Sequence, residues 1–218
     1  MKSTLLELDT RLLEERTGLD FSKYQAEKVV CLRQLEKTSC IEAMPKDTLD
    51  TLLRNVRLNG DPEIKPYKDA NIKVFRIDPA GLYIGQTFVQ EEKLLGFMSG
   101  FPRVLSGFCS AGISKLYPFI AYGEFMSQPA ISFYIPPIAE SYNGNYVILD
   151  GIHRSYLTKQ AGTTMTYVVI EKKDNELPFN PAKWEDVKLV KDKPEMEKRY
   201  FGLKKELFRR LDHVGIDG

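Results

Sequence analysis

The sequence predicts an α+β fold, a mixed sheet with helices that is flanked by helical regions at both ends of the chain. Three observations support this class. Leucines recur at helical spacing in the first 60 residues, strand-like apolar runs fill residues 71–171, and a helical pattern returns near the C-terminus. The length of 218 residues suits one domain with attached helices or two small domains.

The composition is that of an ordinary globular protein, with 43% hydrophobic and 28% charged residues. Lys and Arg number 31 against 30 Asp and Glu, which gives a formal net charge of +1. Proteins that cover DNA non-specifically carry a clear basic excess, because phosphate neutralisation dominates that binding. The charge balance therefore disfavours such a role and leaves room for a local basic patch.

The cysteines and the N-terminus indicate a cytoplasmic protein. Cys31, Cys40 and Cys109 form no CxxC pair, which disfavours a disulfide scaffold and a zinc site. The first residues are charged throughout, and no apolar run is long enough to span a bilayer. We therefore expect no membrane partner.

Residues 1–60 are predicted to form an N-terminal helical subdomain. A first helix carries Leu5, Leu8 and Leu12 and ends at Gly18, and residues 21–37 repeat the pattern with a mixed face. A third helix follows Pro45, with apolar residues at helical spacing: Leu49, Leu52, Leu53 and Val56. Gly60, Pro62 and Pro66 then break the pattern and mark a boundary.

Residues 71–171 form the predicted core. The strands are "NIKVFRI", "AISFYI", "YVILD" and "TMTYVVIE", and the helices are "VQEEKLLGFM" and "IHRSYLTKQAG". Residues 96–127 form a Gly-rich, aromatic insertion, interpreted either as short buried helices or as a lid or pocket wall.

Residues 172–218 are predicted to be a charged linker followed by a C-terminal helix. Trp184 is expected to dock this tail on the core. The helix would carry apolar residues on one side: Met196, Tyr200, Leu203, Leu207 and Leu211.

The corner between a predicted strand and a predicted helix, Asp150 to Ser155, carries the chemistry. Gly151 permits a sharp turn, and the free N–H groups of a helix N-terminus favour an anion. Arg154 adds a planar fork of donors, His153 adds ring donors, and Ser155 adds a hydroxyl. This is the set of groups that a phosphate requires.

Other interpretations of the same residues stay open. Asp150 is also a good N-cap, and its carboxylate would then compete with an anion for the helix N–H groups. Arg154 would serve equally as a surface arginine paired with a carboxylate, and His153 as a satisfied hydrogen-bonding residue.

The segment from Gln128 to Glu171 resembles the core of the ParB/sulfiredoxin-like domains. The matching features are Gln128-Pro129, the run from Ile148 to Gly151, His153-Arg154 and Gly162. Upstream, "VFRIDPAGLYIGQTFVQEEKL" resembles the opening of the same domain, so that the resemblance covers residues 71–171. Residues 96–127 are longer than the family's usual link between helix and turn.

The resemblance implies that the protein binds a nucleotide, ATP or CTP, through Gly151, His153 and Arg154. Asp150 and Ser155 would be their neighbours, and Gln128 is a further pocket candidate. Ile152 stands where sulfiredoxins carry a catalytic cysteine, which removes thiol chemistry. The tail holds one predicted helix and no helix-turn-helix module of the ParB kind. Gly85-Gln86-Thr87 replaces the arginine that usually precedes the acidic helix.

The chemistry expected at such a site is Mg²⁺-dependent phosphoryl transfer or hydrolysis, since Mg²⁺ is held by phosphates and one or two carboxylates. The candidate carboxylates are Asp78, Glu91, Glu92 and Asp150, with Asp150 the preferred metal ligand and catalytic residue. His153 or a carboxylate would act as general base. The alternatives are a ParB-like protein that binds or cleaves DNA, and a non-catalytic phosphate-binding module whose ligand is a nucleic acid or a phosphorylated small molecule.

Overall fold

The computed structural model describes residues 7–96, 98, 116–174 and 176–211. Within these ranges it contains α1 (Thr10–Thr17), α2 (Lys46–Arg54), α3 (residues 91–96) and α4 (Ile152–Gln160). The strands in chain order are β1 (Glu7–Asp9), β2 (Lys28–Val30), β3 (Lys37–Ala43), β4 (Arg57–Leu58), β5 (Asn71–Ile77), β6 (Tyr83–Ile84), β7 (Phe88–Gln90), β8 (Phe119–Phe125), β9 (Gln128–Tyr134), β10 (Ile138–Tyr142), β11 (Asn145–Asp150), β12 (Met165–Glu171), β13 (Lys188–Val190) and β14 (Arg209–Arg210). The α+β class predicted from the sequence is confirmed.

Two mixed five-stranded sheets organise the chain. The first has the order β1-β2-β9-β8-β3 and the second the order β5-β12-β10-β11-β6. In the second sheet β10 is parallel to β12 and antiparallel to β11, and β6 runs parallel to β11 at the edge. The carboxyl end of β11 is therefore placed beside the end of β6, and α4 begins directly after it.

The largest apolar core lies between the two sheets. It combines Ile131 and Phe133 of the first sheet with Val168 and Ile170 of the second. Helix α2 contributes the leucines that were predicted at helical spacing, Leu49, Leu52 and Leu53, all buried. A second core on the other face of the second sheet holds Ile152 at the start of α4, which fixes where that helix begins.

The N-terminal region differs from the predicted helical subdomain. Helix α1 ends at Gly18 as predicted, but it begins only at Thr10, and Leu8, which was predicted to lie on this helix, belongs to β1. The helix predicted over residues 21–37 is wrong: short 3₁₀ turns alternate there with β2, and β3 begins at Lys37. Strand β2 pairs with β9 and β3 pairs with β8, so that residues 1–60 are not wholly helical and contribute strands to the first sheet.

Residues 96–127 lie partly outside the described residues, which leaves the lid interpretation a prediction. Residues 119–125 form strand β8, whose register with β3 and β9 is given by Ala121, opposite both Ile41 and Ser132. The interpretation of this insertion as helices linked by turns is wrong for these residues, since they complete a sheet.

The C-terminal helix is also a wrong prediction within the described residues. Residues 196–198 and 205–207 form single 3₁₀ turns, and β14 pairs with β4. The tail crosses the molecule as extended chain. Trp184 docks as predicted, because its Nε1 donates to the Pro79 carbonyl at 2.7 Å and its ring contacts Tyr156.

Residues 188–201 of this tail, called the strap below, run along β7. Strand β13 pairs with β7 in parallel, and the N–H of Thr87 donates to the Arg199 carbonyl at 2.8 Å. The strap thereby closes over the end of β11. Across the described ranges, no helix combines the length and apolarity needed to cross a bilayer.

Candidate functional site

A cavity of about 200 Å³ opens at the point where β11 passes into α4. Its walls come from three parts of the chain: the corner after β11, the segment of β7 and α3, and the strap. The cavity contains the predicted corner residues Asp150, Gly151, His153 and Arg154, and it does not contain Ser155.

Gly151 makes the turn that the sequence predicted. Its φ of 82° lies in the left-handed region, and a Cβ at this position would meet the ring of Pro137 at 2.6 Å. Gly151, and not Asp150, occupies the N-cap position, and the helix start has no side-chain cap. The interpretation of Asp150 as the cap is therefore wrong, and its carboxylate does not compete for the helix N–H groups.

Arg154 is buried beneath the corner and does not lie on the surface. Its side chain is 2% exposed, and Nη1 donates to the Ile135 carbonyl at 2.9 Å. Nη2 lies 3.5 Å from Asp150 Oδ2, and the guanidinium stands over the Tyr134 ring. Arg154 therefore joins α4 to the link between β9 and β10, and it contributes positive charge to the cavity from below.

Ser155 supports the turn and does not reach the cavity. It is fully buried, and its hydroxyl donates to the Gly151 carbonyl at 2.9 Å while it accepts from Tyr167 Oη at 2.8 Å. The first bond holds Gly151 in place, and the second fixes the orientation of the Ser155 hydroxyl. The expected phosphate contact from Ser155 is corrected accordingly.

His153 connects α4 to β7. Its Nε2 accepts the backbone N–H of Gln90 at 3.0 Å, so that this nitrogen is unprotonated, and the ring meets Phe88 edge-on. Burial first, and then the charges of Lys93, Lys193 and Arg154, lower the pKa of this imidazole from 6.5 to about 4. The ring is neutral at pH 7 and can offer only an Nδ1–H donor. In this arrangement Nε2 is not available as a general base.

Acid should destabilise the protein through His153. Because its folded pKa of about 4 is below the unfolded value of 6.5, the unfolded chain binds the proton more readily between these values, and stability falls as the pH falls through this window. The expected loss is up to about 3 kcal/mol by pH 4. Urea unfolding at several pH values would measure it.

The control is His153→Gln, whose amide oxygen also accepts from Gln90 and does not titrate. Its free energy of unfolding should vary less between pH 6.5 and pH 4 than that of the unaltered chain. Equal slopes for the two proteins would contradict the assignment of this pH dependence to His153.

Three basic residues that the sequence did not single out complete the site. Lys93 comes from α3, and Lys193 and Arg199 come from the strap. The Arg199 guanidinium stands 5.8 Å from the centre of the Phe88 ring, and its Nε donates to the Pro194 carbonyl at 2.6 Å. Lys93 could have been noticed, because it lies on the predicted acidic helix beside Glu91 and Glu92. Lys193 and Arg199 lie in a charged segment in which no pattern distinguishes them from the other charged residues.

The remaining predicted pocket residues lie elsewhere. Gln128 begins β9 in the first sheet and is exposed, and Glu91 and Glu92 are exposed on α3. Asp78 caps a 3₁₀ turn by accepting from the Ala80 N–H at 2.9 Å. Asp150 is therefore the one predicted carboxylate that lines the cavity. In the part of the chain that the structure describes, no three His, Cys, Asp or Glu side chains lie close enough together to hold a metal ion.

No known protein family, no curated protein and no solved structure matches this chain. The ParB/sulfiredoxin-like assignment and the nucleotide ligand therefore stay predictions. The proposal on function rests on the geometry of the cavity.

Proposed function

We propose that this protein binds a phosphate-bearing ligand, a nucleoside phosphate such as ATP or CTP, in the cavity at the start of α4. The observation that carries the proposal is the charge of the walls. Four basic side chains, Lys93, Arg154, Lys193 and Arg199, surround the cavity with a single carboxylate, Asp150. This local excess of positive charge contrasts with the net charge of +1 of the whole chain.

The helix start strengthens the attraction for an anion. The first N–H groups of α4 follow a glycine that offers no capping side chain. Burial is the first cause of the lowered pKa of His153, and the charges of Lys93 and Lys193, which disfavour a further positive charge on the ring, come next. An anion would relieve this repulsion, and a phosphate presents enough oxygens to meet several donors together.

Catalysis is the narrower part of the proposal. Mg²⁺ would enter with the phosphates, and Asp150 is the carboxylate in the described walls that could join its ligands. With Nε2 of His153 engaged, Asp150 is also the group placed to accept a proton. Ligand binding thus depends on several residues of the cavity, whereas the proposed reaction depends on Asp150 alone.

Ligand-induced stabilisation tests the proposal. Thermal unfolding with ATP, CTP, GTP and ADP, with and without Mg²⁺, should show an upward shift, equivalent to about 2.7 kcal/mol at a ligand concentration of 100 Kd. Lys93→Gln should weaken binding roughly tenfold, because it removes one charge-assisted hydrogen bond. Arg154 is a poor choice for substitution, since its loss would leave the Ile135 carbonyl without its donor.

The matched control is Lys198→Gln. Lys198 lies in the strap, like Lys193 and Arg199, but it is exposed, pairs with Glu195 at 3.2 Å and does not line the cavity. No shift with any of the four nucleotides would refute the proposal. Metal-dependent nicking of plasmid DNA that Asp150→Asn abolishes would instead identify a nuclease.

A further inference from the structure

The strap is a fixed wall of the cavity. In addition to the pairing of β13 with β7, Thr87 donates both its N–H and its hydroxyl to the Arg199 carbonyl, and Gln86 forms an isolated bridge with Tyr200. These contacts hold the strap at β13 and again at Arg199 and Tyr200, and Lys193 lies on the stretch between them. The side chains of Lys193 and Arg199 line the cavity from these positions.

The cations face the cavity from two sides. Lys93 stands on α3, while Lys193 and Arg199 stand on the strap. In the described ranges none of these three side chains forms an ion pair with a carboxylate. Desolvation first, and then the charges of Arg199 and Lys93, lower the pKa of Lys193 below its usual value. A ligand that compensates both sides needs anionic groups at two positions.

The size of the cavity limits what it encloses. Pockets that bury a whole drug-sized ligand measure about 300–1,000 Å³. The 200 Å³ found here is smaller, and its walls are dominated by charged and polar groups around Gly151 and the strap. The described cavity suits the phosphates of a ligand and leaves its nucleoside outside.

From these observations we infer that the site selects a diphosphate group, and that Lys193 and Arg199 are the residues that distinguish two linked phosphates from one. One phosphate lies at the α4 corner near Lys93, and the second lies against the strap. The inference rests on the proposed function and deepens it: the ligand is recognised through its phosphate chain, and the base contributes little to the affinity.

Isothermal titration with orthophosphate, pyrophosphate, AMP, ADP and adenosine tests the inference. Pyrophosphate should bind at least about tenfold more tightly than orthophosphate and within about threefold of ADP, while adenosine should not bind. Lys193→Gln should weaken pyrophosphate roughly tenfold and orthophosphate much less, which would abolish the preference. Lys198→Gln is the control and should leave every affinity unchanged.

The outcomes separate the two proposals. If nucleotides bind but pyrophosphate does not, the diphosphate inference fails while the proposed function stands. The inference also fails if Lys193→Gln lowers the affinities for orthophosphate and pyrophosphate by the same factor. If none of the phosphates binds, both proposals fail. Arg199→Gln should weaken the binding of pyrophosphate more than that of orthophosphate, as Lys193→Gln does. The circular dichroism spectrum checks that the strap variant is folded.

Discussion

Replacing Glu140 with glutamine should lower the free energy of unfolding by about 3–5 kcal/mol, the cost of leaving buried charges without their partner. Glu140 lies on β10, in the middle of the second sheet, and is fully buried. Two cations hold it. Arg209 donates through Nε at 2.8 Å and through Nη2 at 3.0 Å, and Lys172 Nζ lies 2.8 Å from Oε2.

Among the described residues one other carboxylate reaches these cations: Asp174, which is 60% exposed, lies 3.0 Å from Lys172 Nζ, whereas Arg209 pairs with Glu140 alone. The side chains of Lys172 and Arg209 are 2% and 3% exposed, so that water cannot compensate either of them. Tyr67 Oη donates to Glu140 Oε1 at 2.5 Å, and burial and then the charge of Glu140 raise the pKa of Tyr67 well above its usual value. The phenol is thus a fixed donor. An amide would lose the attraction to both cations and place an N–H₂ group against one of these donors.

Equilibrium unfolding in urea measures this effect, with Glu171→Gln as the control. Glu171 lies on β12 in the same sheet and pairs with Lys73 at 2.8 Å, but both side chains are partly exposed. A surface ion pair of this kind contributes about 0–1 kcal/mol. A loss below about 1 kcal/mol for Glu140→Gln would show that the buried cluster is not a source of stability.

Gly151→Ala is expected to have the second large effect, a destabilisation of roughly 2–5 kcal/mol together with the loss of ligand binding. The left-handed conformation at φ 82° costs an alanine about 1–2 kcal/mol. The contact of the new Cβ with Pro137, at 2.6 Å, adds an overpacking cost of about 1–3 kcal/mol. The turn and the start of α4, which line the cavity, must shift to relieve this contact.

Gly162→Ala is the matched control for Gly151→Ala. Gly162 follows the other end of α4 at φ 61°, and a Cβ there would meet nothing within 4 Å. Its substitution should cost only the conformational term of about 1–2 kcal/mol and leave binding unchanged. Thermal unfolding and pyrophosphate titration of both variants check the two parts of the prediction. If the two variants were equally destabilised, the contact of the new Cβ with Pro137 would be relieved at no cost in free energy.

The elements that could be predicted are those whose pattern is local. Strands β5, β9, β11 and β12 are predictable because each is an apolar or alternating run with clear breaks on either side, and helix α4 because Gly151 and Gly162 flank it. Strand β3 is not predictable in this way, since its sequence KTSCIEA is largely polar and exposed and has no apolar run. Leucines at helical spacing in the tail were also misleading, because aromatic contacts of Phe208 with Phe179 and Tyr200 hold that tail in an extended path.

The candidate site likewise has a part that follows from neighbouring residues and a part that depends on distant ones. The glycine turn and the helix start at Gly151 follow from neighbouring residues, and both were predicted. The buried position of Arg154 depends on the Ile135 carbonyl, which lies in the link from β9 of the first sheet to β10 of the second. Lys193 and Arg199 reach the cavity only because the strap runs along β7, an arrangement for which no local pattern exists. The corner is therefore predictable from the sequence, and the opposite wall of the cavity is not.

The position of Arg209 has a consequence for the order in which the chain can fold during synthesis. Glu140 belongs to the central strand of the second sheet, yet its bidentate partner is made 69 residues later. While the ribosome is still adding the tail, β10 can be buried only with an incompletely compensated carboxylate. We expect the nascent chain to stay open to chaperones and proteases over this interval, and to become resistant to them when residue 209 emerges.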